Sequence, residues 1–244
     1  PACLMSPPAK FKKPRATRKL IPALLILTLF SATACSNTKT EKPLSSLAKY
    51  ENQILKWQSC YSDFECADLR VPIDYTDFTL GTFKIALLRY GAQEPASRIG
   101  SLIVNPGGPG GSGVDYAYNA EYIFDPEVLD RYDIVGFDPR GVNRSAPIEC
   151  LTDAEIDASY TSDAKPDNET EFAQALTDAK DFISKCETNN KYLTHYSTAE
   201  AARDMDILRA ALGDKKLNYF GKSYGTYLGT LYAQFFPKKV GRMV

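Results

Sequence analysis

Histidine is nearly missing from this sequence: 244 residues carry a single one, His195, beside one tryptophan. An excess of charge of one sign is missing too. The 29 Lys and Arg face 30 Asp and Glu, so no basic surface for nucleic acid is expected. No Cys-x-x-Cys pair or Cys/His spacing occurs, and neither a metal ion nor a cofactor is expected. Long hydrophobic runs are also scarce. The apolar run Leu20–Phe30 has eleven residues, where a membrane-spanning helix needs about 20. The last absence is local: after Ser223 the sequence holds no Asp, no Glu and no His.

What is present begins with an export pattern. Residues 1–34 carry six basic side chains (Lys10, Lys12, Lys13, Arg15, Arg18, Lys19) and no acid. The apolar run follows, then the small residues Ser31–Ala32–Thr33–Ala34, then Cys35. That order predicts a cleaved signal peptide over 1–34 rather than a transmembrane anchor. Small residues before a Cys resemble a bacterial lipobox, with Ala32 standing where a Leu is usual. The expectation is therefore a lipid on Cys35 that ties the protein to a membrane of the cell envelope, with plain secretion as the alternative. Residues 35–49 read as a tether, and a domain is expected over 50–244. In an exported domain Cys60, Cys66, Cys150 and Cys186 form an even set with three possible pairings. The pairing of sequence neighbours, Cys60–Cys66 with Cys150–Cys186, is expected over buried free thiols.

The periodicity of the rest predicts an α/β fold. Leu69–Tyr75 and the alternating Thr82–Tyr90 read as an early hairpin. Ser101–Asn105 and Tyr132–Phe137 are short apolar strands of the kind buried on both faces. A helix is expected over about 169–187, and a second after the capping box Ser197-x-x-Glu200, stopped by Gly213. Leu217–Phe220 is a further strand, Thr226–Ala233 a helix, and Val240–Val244 the start of another strand. Strands alternating with helices imply a sheet that is parallel in its core, flanked by helices.

Two stretches carry chemistry. In Gly221–Lys222–Ser223–Tyr224–Gly225 a strand meets a helix through a Gly-x-Ser-x-Gly turn, which leaves a serine strained, exposed and at a helix N-terminus. A phosphate-binding loop is excluded because the position five before Gly221 is Lys216. In Asn105–Pro106–Gly107–Gly108–Pro109–Gly110–Gly111–Ser112–Gly113 a glycine-rich loop after a central strand can aim bare N–H groups at an oxyanion. Gly108 would give one donor and Tyr224 the other. Gly108-x-Gly110-x-x-Gly113 is also a literal dinucleotide fingerprint, with Asp138 placed 25 residues on. Against it, Pro109 removes an N–H inside the fingerprint, and the serine turn is left unexplained.

These segments, with F-D-P-R-G-V-N-R-S and Y-S-T-A-E-A-A-R-D-M-D-I-L-R-A-A-L-G, resemble secreted tripeptidyl aminopeptidases, which are α/β-hydrolase serine exopeptidases related to prolyl aminopeptidases. The resemblance covers most of 57–244. It implies Ser223 as nucleophile, Gly108 and Tyr224 as oxyanion donors, and cleavage of a peptide with a free N-terminus through an acyl-enzyme. Asp138 and Arg140 match that family's Asp-x-Arg-Gly segment and are read as structural, fixing a loop by an ion pair.

The fold class presents its triad in the order Ser, then acid, then His. With 21 residues left after Ser223 and no acid or imidazole among them, the acid and base are expected beyond Val244, together with the last strands. His195 precedes the serine and has the wrong chain order. The reading is thus an exported serine aminopeptidase, inert over these residues alone. The alternatives are an esterase or lipase on the same fold, or a non-catalytic binding lipoprotein.

Overall fold

The structure is a computed structural model that describes residues 44–162 and 165–244. The expected signal peptide, Cys35 and the tether as far as residue 43 lie outside the described residues.

The chain enters through α1 (Leu47–Glu51), three residues of which the composition assigns to the tether. Tyr50 is the reason: it is fully buried, and its hydroxyl meets Thr82 Oγ1 at 2.8 Å. Strands β1 (Gln58–Cys60) and β2 (Phe64–Pro72) form a tight antiparallel pair, and β2 continues against β3 (Thr82–Tyr90). The Cys60–Cys66 disulfide closes the first pair. Strand β4 (Gly100–Asn105) leads through the glycine-rich loop into three short helices, α2 (Gly113–Tyr118), α3 (Ala120–Ile123) and α4 (Pro126–Arg131). Strand β5 (Tyr132–Phe137) follows, then α5 (Asp153–Thr161) and α6 (Glu169–Asn189). The second disulfide, Cys150–Cys186, fastens α6 to the segment before α5. The chain continues with α7 (Thr198–Ala211), β6 (Leu217–Gly221), α8 (Tyr224–Phe235) and β7 (Val240–Met243).

The seven strands lie in the order β1-β2-β3-β5-β4-β6-β7. Neighbours β5, β4, β6 and β7 pair in parallel, β3 is antiparallel to β5, and β2 antiparallel to β3. Five strands therefore run the same way, the mostly parallel sheet that the alternation of elements implies. Successive residues of the central strands point to opposite faces. Ile103 and Val135 join one core with α1, α7 and α8, whereas Val104 and Ile134 join the other with α2 and α4. Burial of each such Ile or Val contributes about 1.5–3 kcal/mol. Residues at the carboxyl ends of β4, β5 and β6 are thereby fixed against one another, and the candidate site lies there.

Candidate active site

The serine turn is built from the strand outward. Gly221 pairs with Asn105 of β4, and the next N–H, that of Lys222, donates to the Asn105 carbonyl at 3.1 Å. The chain then reverses within three residues, closed by the Gly225 N–H on the Lys222 carbonyl at 2.8 Å. Ser223 takes up the reversal at φ 53° and ψ −123°. A left-handed backbone at a non-glycine residue costs about 1–3 kcal/mol, which the packed surroundings must offset. Those surroundings demand glycine on both sides. A Cβ on Gly221 would lie 2.6 Å from the Gly225 carbonyl oxygen, and one on Gly225 would lie 2.9 Å from that of Asn105. The buried Tyr219 hydroxyl donates to the Gly225 carbonyl at 2.8 Å. Its pKa is raised by burial, so the brace stays protonated. Ser223 itself is exposed at the start of α8, and among the described residues its Oγ has no hydrogen-bond partner.

The glycine-rich loop lies directly against this turn. Buried Asn105 ends β4 and holds both pieces: its carbonyl takes the Lys222 N–H, and its Oδ1 takes the Gly107 N–H at 2.9 Å. A Cβ on Gly107, at φ 95°, would stand 2.4 Å from the Lys222 carbonyl oxygen and 3.1 Å from both Ser223 Cβ and the Tyr224 nitrogen. That contact requires glycine. Two nearby N–H groups, those of Gly108 and Tyr224, have no acceptor among the described residues. A cleft of about 270 Å³ opens beside them, lined in part by Gly107, Gly110, Val142, Thr198 and Tyr224. Thr198 Oγ1 and the Tyr224 hydroxyl share a hydrogen bond of 2.6 Å, joining α7 to the turn.

The segment after β5 holds ion pairs of the structural kind expected, each made to a different partner. Asp138 and Arg140 do not pair with each other. Fully buried Asp138 accepts from Ser112 Oγ, from the Val114 N–H at 3.2 Å, and from Arg144 Nη1 at 3.2 Å. Those donors also occupy the carboxylate that a dinucleotide reading would give to a ribose. Arg140 instead forms a two-pronged pair with Asp204 of α7, both contacts 2.7 Å. Its other donors go to the carbonyls of Pro72, Ile73 and His195, so all five guanidinium N–H groups are used. Burial works against the guanidinium charge, but Asp204 more than offsets this and raises its pKa. Sequence spacing placed these residues in one segment. It carried no signal for partners 26 and 64 positions away, nor for the roles of Asn105, Ser112 and Tyr219.

His195 makes no hydrogen bond or ion pair with the serine turn among the described residues. Its Nδ1 stands 3.9 Å from Asp74 Oδ2 and from Glu200 Oε1, and its carbonyl serves Arg140. No described helix is long and apolar enough to cross a membrane.

The same stretch matches known proteins. The family model described as the alpha/beta hydrolase fold matches residues 100–244, from β4 to the end. The chain is 40% identical over 201 residues to a tripeptidyl aminopeptidase of Streptomyces lividans, covering 78% of this chain and 37% of that protein. It is 40% identical to the serine protease Hip1 of Mycobacterium tuberculosis, covering 73% of this chain and 35% of the relative. To carboxylesterase B of the same organism it is 43% identical, covering 60% and 28%. The chain thus spans between 28% and 37% of the length of these curated relatives. With its parallel sheet, its strained serine between β6 and α8, and a family match over more than half its length, the chain belongs to the α/β-hydrolase fold family and resembles its tripeptidyl aminopeptidases.

Proposed function

We propose that this chain is the nucleophile-bearing part of an exported serine aminopeptidase that releases short peptides from a free N-terminus. Ser223 attacks the scissile carbonyl, and the Gly108 and Tyr224 N–H groups receive the oxyanion. A histidine and a carboxylate C-terminal to Val244 supply the base and the acid, in the chain order of the fold. Cys35 carries the lipid that holds the enzyme to the membrane. The observation that carries the reading is the backbone of Ser223: a strained, exposed serine whose Oγ, like two nearby N–H groups, has no hydrogen-bond partner among the described residues. The peptidase relatives favour a peptide substrate.

The carboxylesterase relative favours a second reading, hydrolysis of esters by the same serine. Turnover by the full-length protein decides between them. Tripeptide anilides with a free amine are expected to be cleaved faster than N-blocked ones and than short acyl esters. Preference for blocked peptides or esters would sink the aminopeptidase assignment.

A further inference from the structure

We infer that Asp138, acting through Ser112, is a positioning residue of the oxyanion hole, clamping the trailing end of the glycine-rich loop so that the Gly108 N–H stays beside Ser223. The inference rests on the serine-hydrolase reading above. Residues 106–112 include four glycines, three of them at φ between 95° and 112°. Such a loop has few side chains to hold it, and a glycine backbone loses more freedom on ordering than any other. Its shape must be set at its ends. Asn105 holds the leading end, and the Gly111 N–H on the Gly107 carbonyl at 3.0 Å closes the middle.

The trailing end is held by a closed ring of side chains. Ser112 Oγ donates to Asp138 and accepts the Asp115 N–H at 3.0 Å, capping α2. Arg144 joins Asp138 through Nη1 at 3.2 Å and Asp115 through Nη2 at 2.9 Å. Asp138 is itself fixed to the sheet: its N–H donates to the Ala86 carbonyl of β3 at 3.1 Å. There is no slack between the two, because a Cβ on Gly113 would sit 2.1 Å from the Phe137 carbonyl oxygen. The ring therefore passes the rigidity of β5 to the loop. Asp138 and Ser112 touch neither substrate nor Ser223; they decide where a donor points.

The test uses the full-length protein, tripeptide anilides and a peptidyl trifluoromethyl ketone that mimics the tetrahedral intermediate. Removing a whole oxyanion donor lowers kcat about 10²–10³-fold, so displacing one is expected to cost about tenfold or more. Ser112→Ala and Asp138→Asn should lose that factor in kcat with KM nearly unchanged, and ketone inhibition should weaken by the same factor. Ser112→Thr should restore both. If Ser112→Ala fails to fold, Arg144→Gln, changed at a part-exposed member of the ring, should show the same signature at about threefold. Folded variants with kcat within about twofold of the parent, or a loss confined to KM with ketone affinity intact, would overturn the inference. A parent that turns over neither these anilides nor short acyl esters would instead remove the serine-hydrolase reading.

Discussion

The serine turn and the pair of helices α5 and α6 belong to one chain but are held in place by different means. Around the turn, α7 buries eight of its residues, from Ala201 to Arg209, in the core it shares with α1, α8 and one face of the sheet. Helix α6 is longer, at 21 residues, yet only Cys186 is buried. Its apolar residues Phe172, Leu176 and Ile183 are each about half exposed, at 58%, 48% and 55%. What holds α6 is the Cys150–Cys186 bond, the Lys185–Glu155 ion pair at 2.8 Å, and the Asn190 side chain on the Glu149 carbonyl and N–H. The contrast shows where geometry is over-determined. A left-handed serine persists only where packing enforces it, whereas α5 and α6 rest on a covalent link and surface polar contacts.

The contrast can be broken most severely at Arg140. Arg140→Met leaves the Asp204 carboxylate buried without its charge partner, and urea unfolding should show a loss of about 3–5 kcal/mol. Opening the second disulfide with Cys150→Ser and Cys186→Ser should cost about 2–4 kcal/mol, but locally. Hydrogen exchange should quicken in α5 and α6 while β4, β5 and β6 keep their protection.

Asp206 offers a pH probe of the packed region. Burial raises its pKa, but hydrogen bonds from Arg209 at 2.8 Å and Lys239 at 2.6 Å outweigh burial and leave it lowered. A depressed carboxyl stabilises the fold fully above its unfolded pKa of about 3.9, and that stability is lost as pH falls through the folded value. Asp206→Asn should flatten this acid limb of the stability curve and cost about 1.5–3 kcal/mol at neutral pH.

Smaller effects sharpen the comparison. Ser223→Gly should raise stability by about 1 kcal/mol in thermal melts, because glycine accepts φ 53° without strain. Phe172→Gln on the exposed face of α6 should change stability by less than about 0.5 kcal/mol.

The parts legible in the sequence are those with local causes. Alternation and apolar runs marked β3, β4, β5 and β6, and Ser197 with Glu200 marked the start of α7, where the reciprocal capping bonds form. Both cysteine pairs join sequence neighbours. The glycines at 221 and 225 announced a strand that turns straight into a helix. What was illegible depends on contacts distant in sequence. Helix α1 exists because Tyr50 reaches Thr82, and nothing in a Ser/Lys/Pro-rich stretch signals that. The β1–β2 turn runs through Tyr61 and Ser62 at φ 48° and 66° without a glycine to mark it. Arg140 and Arg144 lie four residues apart, and only the fold sends one to Asp204 and the other to Asp138.

The proposed role of Ser223 as nucleophile, with its base C-terminal to it in the chain order of the fold, can be probed chemically. A fluorophosphonate probe followed by peptide mass spectrometry tests it directly. Labelling is expected at Ser223 in the full-length protein, none after Ser223→Ala, and none in a chain that ends at Val244. Labelling of that shorter chain, or an unlabelled Ser223 in the full-length protein, would contradict it.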